Sequence, residues 1–143
     1  MPRYLIQVRA TAMSEAGEFP DDPARVQRML AFHDELARAG VLLDAAGLLP
    51  SSQGFRLRYD AAGGSALLDG PFAETQGLIA GYTLIEVRSR DEALAWTRRF
   101  PSPFPGQVCE IEVRPLFGDV LGETPEQAER RLREELAAIR PGP

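Results

Sequence analysis

Ala80-Gly81-Tyr82-Thr83-Leu84-Ile85-Glu86-Val87, running into Ser89-Arg90-Asp91-Glu92, decides the fold of this chain. The first eight residues carry Tyr82, Leu84, Ile85 and Val87 in a stretch of β-formers and read as a central strand. The next four set Ser three residues ahead of Glu, the reciprocal capping pattern that opens a helix. Ala93, Leu94, Trp96, Thr97 and Phe100 continue that helix until Pro101 stops it. Val108 to Val113 then reads as a last strand, ended by Arg114-Pro115.

The same strand-then-helix order stands at the other end of the chain. Tyr4 to Arg9 alternates as a first strand, and Thr11 to Pro20 reads as a loop punctuated by Gly17 and Pro20. Asp22 suits an N-cap, Pro23 the first helical position and Gly40 the left-handed residue past the end. Between them Val26, Met29, Leu30, His33, Leu36 and Ala37 fall on one face, with His33 near the centre of the apolar stripe. Val41-Leu42-Leu43 opens a second strand that ends before Pro50. Phe55 to Tyr59 and Ser65 to Asp69 pair as a hairpin about the turn Asp60 to Gly64. The order is therefore β-α-β, a hairpin, then β-α-β: an α+β domain of ferredoxin-like, split β-α-β plan with an antiparallel sheet. It spans residues 1–118. Residues 119–143 form a C-terminal helical extension, in which Thr124-Pro125-Glu126-Gln127 is a second capping box. Ala128, Leu132, Leu136 and Ile139 form a stripe that would dock on the domain or on a neighbouring subunit, since a lone helix of this length is marginal in water. Pro141-Gly142-Pro143 reads as a frayed end.

Composition excludes several chemistries. All sixteen basic residues are Arg, so a lysine Schiff base, a pyridoxal phosphate anchor and a phosphate-loop Lys are impossible. His33 and Cys109 are the only residues of their kinds, which leaves no two-His metal site, no cysteine-based metal site and no intrachain disulfide. No metal and no cofactor is expected. Net charge is −5 and the arginines are dispersed, so a nucleic-acid partner is not expected either. No apolar run approaches the roughly 20 residues of a membrane span, and Met1-Pro2-Arg3-Tyr4 leads directly into a strand; the expected location is the cytoplasm.

Asp69-Gly70-Pro71-Phe72-Ala73-Glu74 combines a turn signal, an aromatic and two carboxylates. With Phe32-His33-Asp34-Glu35-Leu36, Gly47-Leu48-Leu49-Pro50, Ile79-Ala80-Gly81-Tyr82, Asp91-Glu92-Ala93 to Trp96, and Glu110 to Pro115, it resembles the YCII-related proteins of the DGPF type over about residues 3 to 118. These are small bacterial proteins, mostly of unassigned function. The resemblance implies a ferredoxin-like fold and a homodimer whose sheets pack face to face as an α+β barrel, with a pocket between sheet and helices. It also implies either a cofactor-independent His-Asp lyase or isomerase, or a non-catalytic ligand-binding regulator, since genes of this family often stand beside an alternative sigma factor. The chain departs from the family pattern at Ala46, where Glu is common, and at Gln76-Gly77, where Lys-Glu is common. Shorter YCII proteins look like His-Asp enzymes with the Asp just after the second helix, where this chain reads Phe100-Pro101-Ser102-Pro103.

Candidate residues follow, each with two readings. His33 is either a general base oriented by Asp69 or a core imidazole with one hydrogen bond satisfied. Asp69 and Glu74 could divide acid and base roles, or Asp69 could accept backbone N–H groups within its loop. Phe72 plugs the loop against the core or contacts a ligand. Arg56, Arg58 and Arg114 could clamp an anion, or pair across strands with Glu110 or Glu112. Tyr82 and Trp96 read as core or pocket wall, and Cys109 as an inert strand residue. The functional expectation is a small-molecule pocket served by His33 and Asp69, with Phe72, Glu74, Tyr82 and Arg114 as ligand contacts. An oligomeric scaffold without ligand is the third possibility. Two helices can cover only one face of the sheet, so the other needs a partner, to which Tyr4, Phe55 and Leu84 would contribute.

Overall fold

The computed structural model describes residues 1–18, 22–117 and 124–139. Four strands, β1 (Arg3–Arg9), β2 (Leu42–Gly47), β5 (Ile79–Glu86) and β6 (Ile111–Pro115), form one antiparallel sheet in the order β2-β5-β1-β6. The two central strands are thus the first strand of each β-α-β half, which is the ferredoxin-like arrangement. A separate hairpin, β3 (Phe55–Tyr59) and β4 (Ser65–Asp69), is inserted between β2 and β5. The helices are a single turn α1 (Ala12–Glu15), then α2 (Pro23–Arg38), α3 (Arg90–Arg98) and α4 (Pro125–Ile139).

The helix ends follow from their capping residues. Asp22 accepts from the Ala24 N–H at the head of α2, and Gly40 takes φ 75° past its end, where a side chain would be strained. Ser89 accepts from the Glu92 N–H, while the Glu92 carboxylate reaches back to the N–H of Arg88. Thr124 and Gln127 exchange reciprocal bonds at the head of α4. The stretch after β1, read as a loop, holds α1 instead. Thr11 and Ser14 cap each other there and leave Ser14 buried, while Pro20 lies outside the described residues.

Alternation along the central strands assigns the faces. Ile6 on β1 and Gly81, Thr83 and Ile85 on β5 are buried toward the helices, with Val87 just beyond β5, while Leu5, Tyr82 and Leu84 look the other way. Ile6, Ile85 and Val87 meet Phe32, Leu36, Val41 and Ala93 in the core, with Tyr4, Trp96, Phe100 and Val113 packed around them. Tyr4 therefore lies on the covered face rather than at a partner surface. The buried face of α2 is also displaced from the expected stripe: Phe32 and Leu36 are in the core, whereas Val26 and Leu30 are 51% and 66% exposed. The last strand runs Ile111–Pro115, so Val108 and Cys109 precede it, and Val108 is almost fully exposed.

On α4 only Ala128 is buried. Leu132, Leu136 and Ile139 stand exposed, and the Arg131 guanidinium lies over the Phe117 ring, 4.6 Å from its centroid. Residues 119–123 and the terminal Pro141-Gly142-Pro143 are outside the described residues.

Candidate functional site

A cavity of about 710 Å³ opens between α2 and the β2-β5 edge of the sheet. Its origin is local. Facing α2 at this end, the sheet carries Ala45 and Gly47 on β2 and Gly81 on β5, which leave the space under the helix unfilled. A β-carbon built on Gly47 would meet nothing within 4 Å. Met29 and Leu30 of α2, Val8 of β1, and Phe100, Pro103 and Phe104 beyond α3 complete a largely apolar wall. A volume of this order suits a small organic ligand.

Register decides which polar groups reach this space. Leu42 pairs with Ile85, but Asp44 pairs with Leu84 and Ala45 with Thr83, because β2 bulges at Leu43. An unbroken ladder would set Asp44 opposite Thr83, toward α2. The bulge sends Asp44 to the open face of the sheet, where its carboxylate accepts from the Tyr82 hydroxyl at 2.8 Å and from the N–H of Ala45 at 2.9 Å. That hydrogen bond, then the carboxylate's charge, then desolvation raise the Tyr82 phenol above its ordinary pKa of 10.0. Asp44 and Tyr82 border the cavity from the β2 edge.

His33 does line the cavity. Its Nδ1 is 2.8 Å from the Met29 carbonyl, which can only accept, so Nδ1 carries the proton. In the neutral ring Nε2 then accepts from the Thr83 hydroxyl at 2.8 Å. Thr83 is itself buried at 2% exposure, so the two side chains satisfy each other. The ring meets Phe32 and Phe100 edge-on at 5.7 and 6.1 Å. Among the described residues no carboxylate orients it.

Asp69 is elsewhere. It ends β4 opposite Phe55, exposed, and leads into a turn with a cis Gly70-Pro71 peptide. The motif loop is docked on the turn at Ser51–Gln53: the Gly70 N–H donates to the Gly54 carbonyl and the Phe72 N–H to Ser51 Oγ, both at 3.0 Å. Ser51 in turn gives its backbone N–H and hydroxyl to the Glu15 carboxylate of α1. Phe72 is half-buried beneath the Arg56 guanidinium, 3.8 Å from its ring centroid, and Glu74 lies 3.7 Å from the same Arg56. Arg114 stands exposed on β6, the edge strand opposite to β2. The expected residues thus fall in three places: His33 and Tyr82 at the cavity, Asp69, Phe72 and Glu74 in the motif loop, and Arg114 across the sheet. Arg9, not Arg114, makes the cross-strand ion pair with Glu112, at 3.1 Å.

Two wall elements escaped the sequence reading. Arg25 borders the cavity one turn before Met29 and two before His33, a polar residue in the apolar register of α2. Phe100-Pro101-Ser102-Pro103, where shorter YCII proteins are expected to carry an Asp, supplies apolar wall instead. Among the described residues no helix is long and apolar enough to cross a membrane.

Comparison with known proteins agrees with this architecture. The family model for the YCII-related domain matches residues 3–116. An uncharacterized protein of Rhizobium meliloti (strain 1021) is 38% identical over 106 residues, covering 73% of this chain and 84% of that protein. The match takes in the whole sheet, α2, α3 and the motif loop, and the chain belongs to the YCII-related domain family.

Proposed function

We propose that the protein binds a small molecule in the cavity between α2 and the β2-β5 edge, and that it works as a homodimer. The observation that carries the binding reading is the run of small residues, Ala45, Gly47 and Gly81, set opposite a helix that presents Met29 and His33. The groove stands open to solvent along the edge strand β2, and apolar walls left uncovered around a concave space of this size are what a small organic ligand covers. Binding without chemistry fits this site better than a His33-Asp69 lyase or isomerase. Both ring nitrogens of His33 already have partners, and Asp69 belongs to the motif loop.

A thermal-shift screen against a metabolite library tests the reading, with Gly47→Leu as the control that fills the cavity. Ligands that raise the melting temperature of the natural protein should not raise that of Gly47→Leu. A hit that acts equally on both binds elsewhere and removes the cavity from the function. His33→Gln separates the two readings. If it abolishes a turnover detected with a hit, catalysis returns; if ligand stabilisation persists and no turnover exists to lose, binding stands.

A further inference from the structure

Among the described residues, the polar side chains that line the cavity are satisfied from within the protein, with one exception. Thr83 and His33 bond to each other, His33 also to Met29, and Asp44 to Tyr82 and Ala45 on the far face of the sheet. Arg25 differs. Its Nε–H donates to the Pro103 carbonyl, and its guanidinium lies over the Phe104 ring, 5.3 Å from the centroid. These contacts hold the side chain, and among the described residues no further hydrogen bond and no ion pair takes up its two terminal amino groups. A guanidinium fixed through Nε on one side presents its other edge as a planar two-donor fork.

We propose that Arg25 is the anion-recognising residue of the cavity and that the ligand is an amphipathic monocarboxylate. Its carboxylate would meet the Arg25 fork at the rim, and its aryl or alkyl body would lie along Met29, Phe100 and Phe104. This deepens the small-molecule reading above and rests on it. A second negative charge on the ligand would find no second cation, since Arg25 is the one Arg or Lys among the described lining residues, and a positive one would meet only Asp44 at the β2 edge, already bonded to Tyr82 and Ala45. The interior demands no hydrogen bond either, since the His33-Thr83 pair is closed. Preorganisation favours binding: Arg25 is already ordered by Pro103 and Phe104, so less rotamer freedom is lost when an anion docks.

Isothermal titration calorimetry with phenylacetate and octanoate, against phenylacetamide and octylamine, tests the proposal. At least one carboxylate should bind, with the neutral amide weaker by roughly ten- to hundredfold, as a charge-assisted bidentate contact implies. The ammonium probe should not bind. Arg25→Gln should lower carboxylate affinity by the same roughly tenfold or more and leave the amide's unchanged, and Arg25→Lys should recover only part. Equal affinity for carboxylate and amide, indifference to Arg25→Gln, or no binding by either carboxylate at millimolar concentration would overturn it. Gly47→Leu keeps the two readings apart. If it abolishes binding of amide and carboxylate alike while Arg25→Gln changes neither, the cavity stands and the anion site falls. If carboxylate binding survives Gly47→Leu, the cavity is not where the ligand lies.

Discussion

A β-carbon on Gly70 would fall 1.8 Å from the carbonyl oxygen of Ser51 and 2.6 Å from its carbon, both backbone atoms that cannot swing aside. The glycine of the family's motif is thus required by the docking of one loop on another. The motif's neighbours serve the same end, with the Phe72 N–H on Ser51 and its ring under Arg56. Gly70→Ala should destabilise the fold by at least about 2 kcal/mol in urea melts. Gly47→Ala, whose β-carbon enters open space, should stay within about 0.5 kcal/mol. Equal effects would mean that the motif loop is not seated on Ser51 in solution. At Tyr82 the check is a titration. Asp44 raises the phenol's pKa, so this side chain's contribution to stability is complete below the ordinary 10.0 and is lost as pH rises through the higher folded value. Phenolate absorbance, taken as the difference between the natural protein and Tyr82→Phe, should show a group titrating above 10.0, and Asp44→Asn should bring it back toward that value. An unmoved titration would break the Asp44-Tyr82 pair.

Helix α2 shows how far an element can be read before it is seen. Its limits were legible because Asp22, Pro23 and Gly40 each act locally, through a cap, a fixed φ and a left-handed residue. Its rotation was not. Val26 and Leu30 fit a helical period as well as Phe32 does, and only the meeting of Phe32 with Trp96 and Phe100 of the second half, at 6.3 and 5.2 Å, selects the face. Phe32→Ala should therefore cost about 3–5 kcal/mol, and Leu30→Ala less than about 1 kcal/mol, by chemical denaturation. The reverse order would return the helix to the face the sequence favours. The place of His33 on the inward stripe of α2 was legible, but whether it met a cavity or the core was not. Nor was its partner, because Thr83 lies fifty residues away and reaches it only through the strand register. The bulge at Leu43 left no mark in the residues of β2, yet it decides that Ala45 rather than Asp44 stands beside that pair. Arg25 escaped for a related reason: a charge in an apolar register reads as solvent-facing until Pro103 and Phe104 come back over it.

Whole-molecule behaviour turns on what a single subunit leaves uncovered. Leu5 and Leu84 face each other in register at the centre of the open sheet face, and Phe55, Leu57, Tyr59 and Leu67 stand exposed on the hairpin. A two-stranded hairpin with a bare apolar face is marginal in water, and apolar surface gathered in this way marks an interface. The proposed homodimer would cover this surface with a second copy of the chain. Sedimentation should give twice the 15.7 kDa chain mass at micromolar concentration, and Leu84→Asp should give the single chain with an unchanged circular dichroism spectrum. A natural protein that sediments as one chain would refute the dimer. Helix α4 then provides the finer test. It buries only Ala128 within its own subunit and exposes Leu132, Leu136 and Ile139, a stripe that alone does not sustain a helix of this length. If the stripe packs on the second subunit, removing residues 119–143 should raise the dimer dissociation constant and lower the melting temperature more steeply as the protein is diluted. A loss of stability independent of concentration would place α4's contribution inside one subunit, through Ala128 and the Arg131-Phe117 contact. No change in either measure would make it an appendage without a docking role.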